Sequence, residues 1–197
     1  MIIARAGILG PGLKLANMRV QDFLVNQVFN TLVGVPVITK RGWASLDTTV
    51  FGHSFRFVTT HLDVTPPFAI QRAQAAEALQ TGVRTTLPTV FLGDFNADPR
   101  DDPSNPTFPT YQLLISAGFS DAWKQRYPSL PGFTCCQAAD LLNPISTLIV
   151  TIDHVLTRGA VSVEDIKLVG DRASDRTPSG RWPSDHAGLT ATLRIGN

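Results

Sequence analysis

Thr89-Val90-Phe91-Leu92-Gly93-Asp94-Phe95-Asn96-Ala97-Asp98-Pro99 is the stretch on which the fold turns. Pro88 opens it, and the apolar run that follows is too short for a helix. Consecutive apolar positions suit a strand buried on both faces, which Gly93 stops. Asp94 to Pro99 then reads as a polar loop at the end of a buried strand, where a rigid sheet presents side chains to a rim.

Upstream, Ala69 to Val83 is rich in Ala, Gln, Arg, Glu and Leu, with Ile70, Ala73, Ala76, Leu79 and Val83 at helical spacing. This predicts a helix, with those five residues spaced to share one face. Before it, Val35–Thr39, Ser45–Val50 and Phe55–Leu62 read as strands, the last two forming an antiparallel hairpin around Phe51-Gly52-His53 and ending at His61. Downstream, Tyr111–Ala117 reads as a second helix ended by Gly118. Residues 122–143 read as irregular, because Pro128, Pro131 and Gly132 break them. Strands return at Thr147–Leu156, Val161–Leu168 and Leu189–Ile195, with Asp171–Pro183 as a mobile loop. No repeat or low-complexity tract interrupts the chain, so residues 1–197 read as a single domain.

The composition agrees with one folded unit: 197 residues, 43% hydrophobic, 17% charged. The net charge is +1, from 17 Lys and Arg against 16 Asp and Glu, with no basic run. That argues against holding nucleic acid mainly by field. No apolar stretch approaches the roughly 20 residues that span a bilayer, and Met1 to Arg5 lacks the pattern of an export signal. The only cysteines, Cys135 and Cys136, are adjacent. They cannot staple long loops and show no CxxC zinc pattern, so they are expected to be two semi-buried, reduced thiols.

Short apolar segments end in Asp, Asn or His at Thr60-His61-Leu62-Asp63, Gly93-Asp94-Phe95-Asn96, Ile152-Asp153-His154 and Ser184-Asp185-His186. Taken singly, His61 reads as a structural or exposed histidine, and Asp94 and Asp153 as turn residues. Taken together, carboxylates with an Asn suit a hard divalent cation, and neighbouring histidines stabilise developing charge or protonate a leaving group. That set suits metal-assisted hydrolysis of a phosphate ester, with no serine or cysteine nucleophile.

FVTTHLD (57–63), FLGDFNADP (91–99), TIDHVLTR (151–158) and SDHAGL (184–189) occur in this order. As an ordered set they resemble the endonuclease/exonuclease/phosphatase superfamily. The resemblance runs from about Arg41 to the C-terminus. It implies an α/β, DNase I-like fold: a four-layer sandwich of two mixed, mainly antiparallel sheets with outer helices. It also implies that Asp94 orients or deprotonates the attacking water, that Asn96 contacts phosphate or metal, and that Asp185 is a metal ligand. His186, oriented by Asp153, would hydrogen-bond the scissile phosphate, and His61 would protonate the leaving group. The implied cofactor is Mg²⁺ or Mn²⁺, held by Asp94, Asn96 and Asp185. The implied partner is a phosphate-ester substrate: nucleic acid, nucleotide or phospholipid headgroup.

The sequence departs from the family pattern at its start. The early Asn strand and metal-binding Glu are absent, and Met1 to Arg5 looks like a strand from the middle of the family fold. The chain is therefore expected to represent the C-terminal two thirds of the domain. Glu77 and Glu164, the only glutamates, lack the context of the family's metal-binding Glu. Two functions follow: a metal-dependent phosphoesterase attacking directly with water, or a truncated, inactive member acting at most as a binding module. Near-neutral charge and 11 phenylalanines lean toward a compact phosphate ester over long duplex DNA. Within segment 132–143, Phe133 and the cysteine pair are expected either to line the site or to pack beneath it, with packing the favoured reading.

Overall fold

The computed structural model describes residues 12–66 and 68–196. The expected strand at Met1 to Arg5 lies outside them. The buried stretch that opens the sequence argument is a strand, Thr89–Asp94, in the middle of a six-stranded sheet. In chain order the strands and helices are β1 (Leu13–Asp22), β2 (Gln27–Asn30), β3 (Pro36–Thr39), β4 (Gly42–Val50), β5 (His53–His61), α1 (Ala69–Gln80), β6 (Thr89–Asp94), α2 (Phe108–Ser116), β7 (Ser120–Asp121), α3 (Ala122–Arg126), β8 (Asp153–Arg158), β9 (Val161–Val169) and β10 (Gly188–Ile195). The main sheet runs β1-β4-β5-β6-β8-β7. Its β5–β6 pair is parallel, with α1 as the crossover, and its other pairs are antiparallel. β2–β3 and β9–β10 form separate two-stranded sheets.

Side-chain alternation divides the core between the two faces of the main sheet. Val58, Phe91 and Leu156 are aligned across β5, β6 and β8 and pack with Ala75 and Ala78 of α1 and with Tyr111 and Leu114 of α2. Val90, Leu92, Val155 and Phe57 point the other way, against Ile166 of β9 and Leu189 and Leu193 of β10. Phe91 has no exposed surface, and burying such a side chain contributes about 3 kcal/mol. The α/β class with mixed, mainly antiparallel sheets is thus present. Among the described residues α1 and α2 cover one face of the main sheet, and the β9–β10 pair together with α3 covers the other.

Three local expectations need correction. Helix α1 has the expected period, but its buried residues are Gln71, Gln74, Ala75 and Ala78, while Ala73 is exposed. Two buried glutamines turn the face by about one position, because their amides satisfy backbone groups of the site loops. The strand expected from Thr147 begins only at Asp153, since residues 147–152 make a single bridge, Val150 to Cys135, instead of a ladder. Within 122–143, expected to be irregular, α3 forms because the Asp121 side chain accepts from Trp123 N and caps it.

Candidate active site

Strand register does the first part of the assembly. Within the main sheet His61 is paired with Asp94 and Asp94 with Asp153, so three titratable residues stand side by side on neighbouring strands. Two of them end parallel strands and the third begins an antiparallel one. Gly93 makes the approach possible: its φ is 146°, and a Cβ there would collide with the Thr60 carbonyl of β5. Phe95, fully buried, anchors the turn that follows, and Phe95 N donates to Ile152 O at 2.9 Å.

His186 arrives from the segment before β10. Ala187 N donates to Thr134 O, and Gln137 N donates to Asp185 O, both at 2.8 Å, so this segment is zipped to residues 134–137. Thr134 is fully buried, and its Oγ1 accepts from both Ile152 N and Asp153 N. One threonine therefore ties together the segments carrying Asp153 and His186. His186 Nδ1 lies 2.8 Å from Asp153 Oδ2. A carboxylate only accepts, so Nδ1 carries the proton and Nε2 is left for a ligand.

Two charges set the electrostatics. Burial, then the nearby charge of Asp94, raises the Asp153 carboxyl above its usual range. Burial opposes the charged form of His186, but the hydrogen bond and charge of Asp153, with Asp94 and Asp185 adding to them, raise it overall. One ligand atom each from Asp94, Asp153 and His186 lies within 4.8 Å of the others.

His61 completes the row from the other side. Its Nε2 is 3.2 Å from Asp94 Oδ2, and its Nδ1 is 2.9 Å from Arg41 Nη1. A guanidinium only donates, so Nδ1 accepts and the proton sits on Nε2, directed at Asp94. Arg41 is held by its backbone: its N donates to Asn26 Oδ1, and its O accepts from Phe23 N. Sequence reading missed Arg41, since its partner is 20 positions away across the β4–β5 hairpin. It also missed Thr134.

His61, Asp94, Asn96 and His186 line a cleft of about 610 Å³, with Asp98, Asp102 and Arg100 further along its wall. Asn96 adopts a left-handed backbone (φ 50°), which Asn tolerates. Its N donates to Asp94 Oδ1, and its Nδ2 donates to Leu62 O. Gln71 Nε2 donates to both Asn96 O and Asp63 O, clamping this loop to α1. Asp153 stands behind His186. Asp185 is exposed and is not among the residues lining the cleft, and its carboxylate accepts from Ser184 Oγ. Cys135 and Cys136 take the less favoured of the two expected places, lining the cleft, and they are not the expected thiols, since a disulfide joins them. Glu77 accepts from Leu24 N, and Glu164 pairs with Arg194, so neither glutamate reaches the cleft.

His154, next to Asp153, serves structure. It is buried, with Nδ1 2.9 Å from Asp121 Oδ2 and Nε2 2.8 Å from Ala97 O. Both partners accept, so the ring carries both protons. It braces the Asn96–Ala97 loop against α3.

A comparison with curated protein sequences finds no match. Among solved structures, the chain is similar to the endonuclease/exonuclease/phosphatase from Bacteroides vulgatus, with TM-score 0.66 and 17% identity over 94% of this chain and 67% of that one. It is similar to D. rerio TDP2 complexed with single strand DNA product, with TM-score 0.62 and 18% identity over 93% and 69%. The human Nocturnin catalytic domain with bound sulfate anion gives TM-score 0.61 and 19% identity over 93% and 60%. The chain thus spans 60% to 69% of the length of two of these, TDP2 and Nocturnin. The DNase I-like α/β arrangement agrees with these likenesses, and with residues 19–186 matching the family model, the chain belongs to the Endonuclease/Exonuclease/phosphatase family.

Proposed function

We propose that the chain is a divalent-metal-dependent phosphoesterase that hydrolyses its substrate by direct in-line attack of water. The observation that carries this reading is the row His61–Asp94–Asp153, with His186 held by Asp153 and with His61, Asp94 and His186 lining one cleft. Asp94 offers an acceptor oxygen to orient or deprotonate water. His186, its Nδ1–H held by Asp153, presents Nε2 to a phosphoryl oxygen, where a donor stabilises the charge of the transition state. His61 carries its proton on Nε2 and is the donor for the leaving group.

The donor set fits a hard cation, because Asp94 and Asp153 each bring a carboxylate oxygen within 4.8 Å of the other, and Mg²⁺ is commonly held by one or two carboxylates with water. Asp94 would hold it, with Asn96 beside it on the cleft lining and the Asp153 carboxylate within reach, while Asp185, off the lining, would join only by turning inward. When bound, the ion supplies Lewis-acid polarisation of a phosphoryl oxygen. Of the cleft's charges Arg100 is already paired with Asp98, which supports a compact phosphate ester over long duplex DNA. A flat dependence of log affinity on log salt is expected for such a substrate, and a steep one for a long nucleic acid.

The position of both glutamates away from the cleft favours a second reading, a binding module without turnover. Hydrolysis of bis(p-nitrophenyl) phosphate and of plasmid DNA by the purified chain separates the two. Turnover with Mg²⁺ or Mn²⁺ that EDTA abolishes supports the enzyme. Binding of a phosphate ester by folded chain without turnover supports the module.

A further inference from the structure

The cleft lining holds a second set of ligands, which shares His186 with the carboxylates. Cys135, Cys136 and His186 each bring one ligand atom within 4.8 Å of the others. The placement is fixed from both sides. Cys135 forms bridges with both Val150 and His186, Cys135 N donates to Val150 O at 3.0 Å, and the flanking Thr134 and Gln137 are hydrogen-bonded to Ala187 and Asp185. Cys135 is buried and Cys136 exposed, so the pair spans the wall from the protein interior to the open cleft. Asp153 holds His186 Nδ1, which is the outer-shell arrangement that orients a metal-ligating histidine and leaves Nε2 to the ion.

We propose that the reduced cysteine pair and His186 form a binding site for a soft, thiophilic divalent cation such as Zn²⁺ or Cd²⁺. Thiolate sulfur and imidazole nitrogen are the donors such ions prefer, whereas Mg²⁺ takes oxygen, so the two sets in one cleft discriminate between metals by donor type. The site exists only in the reduced chain, because in the disulfide the sulfurs are bonded to each other. Exchange with an external dithiol breaks the Cys135–Cys136 bond, gives two thiols and leaves the dithiol as a disulfide. The cation then displaces the two thiol protons. A bound ion occupies Nε2 of His186, and, on the phosphoesterase reading, removes that donor from the phosphate.

Titration of the phosphine-reduced full chain with Cd²⁺, followed by thiolate-to-cadmium charge-transfer absorption, tests the site without substrate. One equivalent should saturate the band in the reduced chain, and the oxidised chain should show none. Cys136→Ser should abolish one-equivalent saturation, and Asp94→Asn should leave it unchanged. His186→Ala should weaken binding by at least about tenfold, since losing even an outer-shell partner costs that much. Absence of the band in folded, reduced chain overturns the proposal, as does affinity unchanged by His186→Ala. The readout is independent of turnover, so a chain that hydrolyses nothing still shows the band if the site is real, and an active chain without the band refutes the site alone.

Discussion

His186 Nδ1 lies 2.8 Å from Asp153 Oδ2, although the two residues are 33 positions apart and belong to different sheets' segments. The contact decides which nitrogen of His186 faces the cleft. Asp153→Asn should keep the fold but lose this control, because an amide can present either a donor or an acceptor to the ring. Turnover should fall by roughly 10²-fold or more, with KM little changed, as when an orienting carboxylate behind a catalytic histidine is neutralised. Steady-state kinetics beside a circular dichroism spectrum checks this.

Arg41 sets the tautomer of His61 in the same way from the opposite side. Replacing Arg41 with Leu removes the obligatory donor to Nδ1 and releases the ring to protonate either nitrogen. The ¹⁵N spectrum of the His61 imidazole should change from an Nε2–H tautomer to a mixture, with turnover reduced. Arg41→Lys, which keeps a donor and a charge, should restore part of both. An unchanged ¹⁵N pattern in Arg41→Leu would remove Arg41 from the site.

The buried His154–Asp121 pair gives stability a pH dependence. Burial opposes the charged ring, but the Asp121 hydrogen bond and charge, with the Ala97 carbonyl, raise His154 above 6.5. Its contribution is complete below about 6.5 and is lost as pH rises through the raised value. Burial pushes Asp121 up, but His154 and the Trp123 and Lys124 amides hold it below 3.8 overall, so its contribution is present above 3.8 and lost as pH falls through the lowered value. Urea midpoints should therefore decline on both sides of that window. His154→Gln should lose about 3–5 kcal/mol near pH 6, since it strands a buried carboxylate, and should flatten the alkaline decline.

Gln71 holds two carbonyls, Asn96 O and Asp63 O, in a buried position. Gln71→Leu keeps a comparable volume and leaves both carbonyls unpaired, which costs about 1–3 kcal/mol per group. Urea unfolding should show the loss, and hydrogen exchange should rise in residues 94–97 before it rises in β5.

Much of this arrangement was legible because strand ends announce themselves. His61, Asp94 and Asp153 each follow or open an apolar run, and the register that aligns them follows from β5, β6 and β8 lying side by side, which no single segment announces. The α1 period was readable but its phase was not, since Gln71 and Gln74 are polar by composition and buried only because loops supply them with partners. β1 was not read at all: nearly all of its residues are exposed, so it lacks the alternation that marks a half-buried strand. Arg41 and Thr134 carry no local signal, because their importance lies in contacts across 20 and 19 positions. The cysteine pair was visible as a motif, but its place on the cleft wall depends on the pairing of Cys135 with His186.

In the proposed reaction Asp94 and His186 carry metal-dependent hydrolysis in this cleft. The most direct test compares initial rates on bis(p-nitrophenyl) phosphate with Mg²⁺ or Mn²⁺ for the chain, Asp94→Asn and His186→Ala, each verified as folded. Each substitution should lower the rate by roughly 10²–10⁴-fold, the range for removing a positioned acid, base or charge-stabilising donor. Rates unchanged in both variants would contradict the claim and move the chemistry elsewhere in the chain.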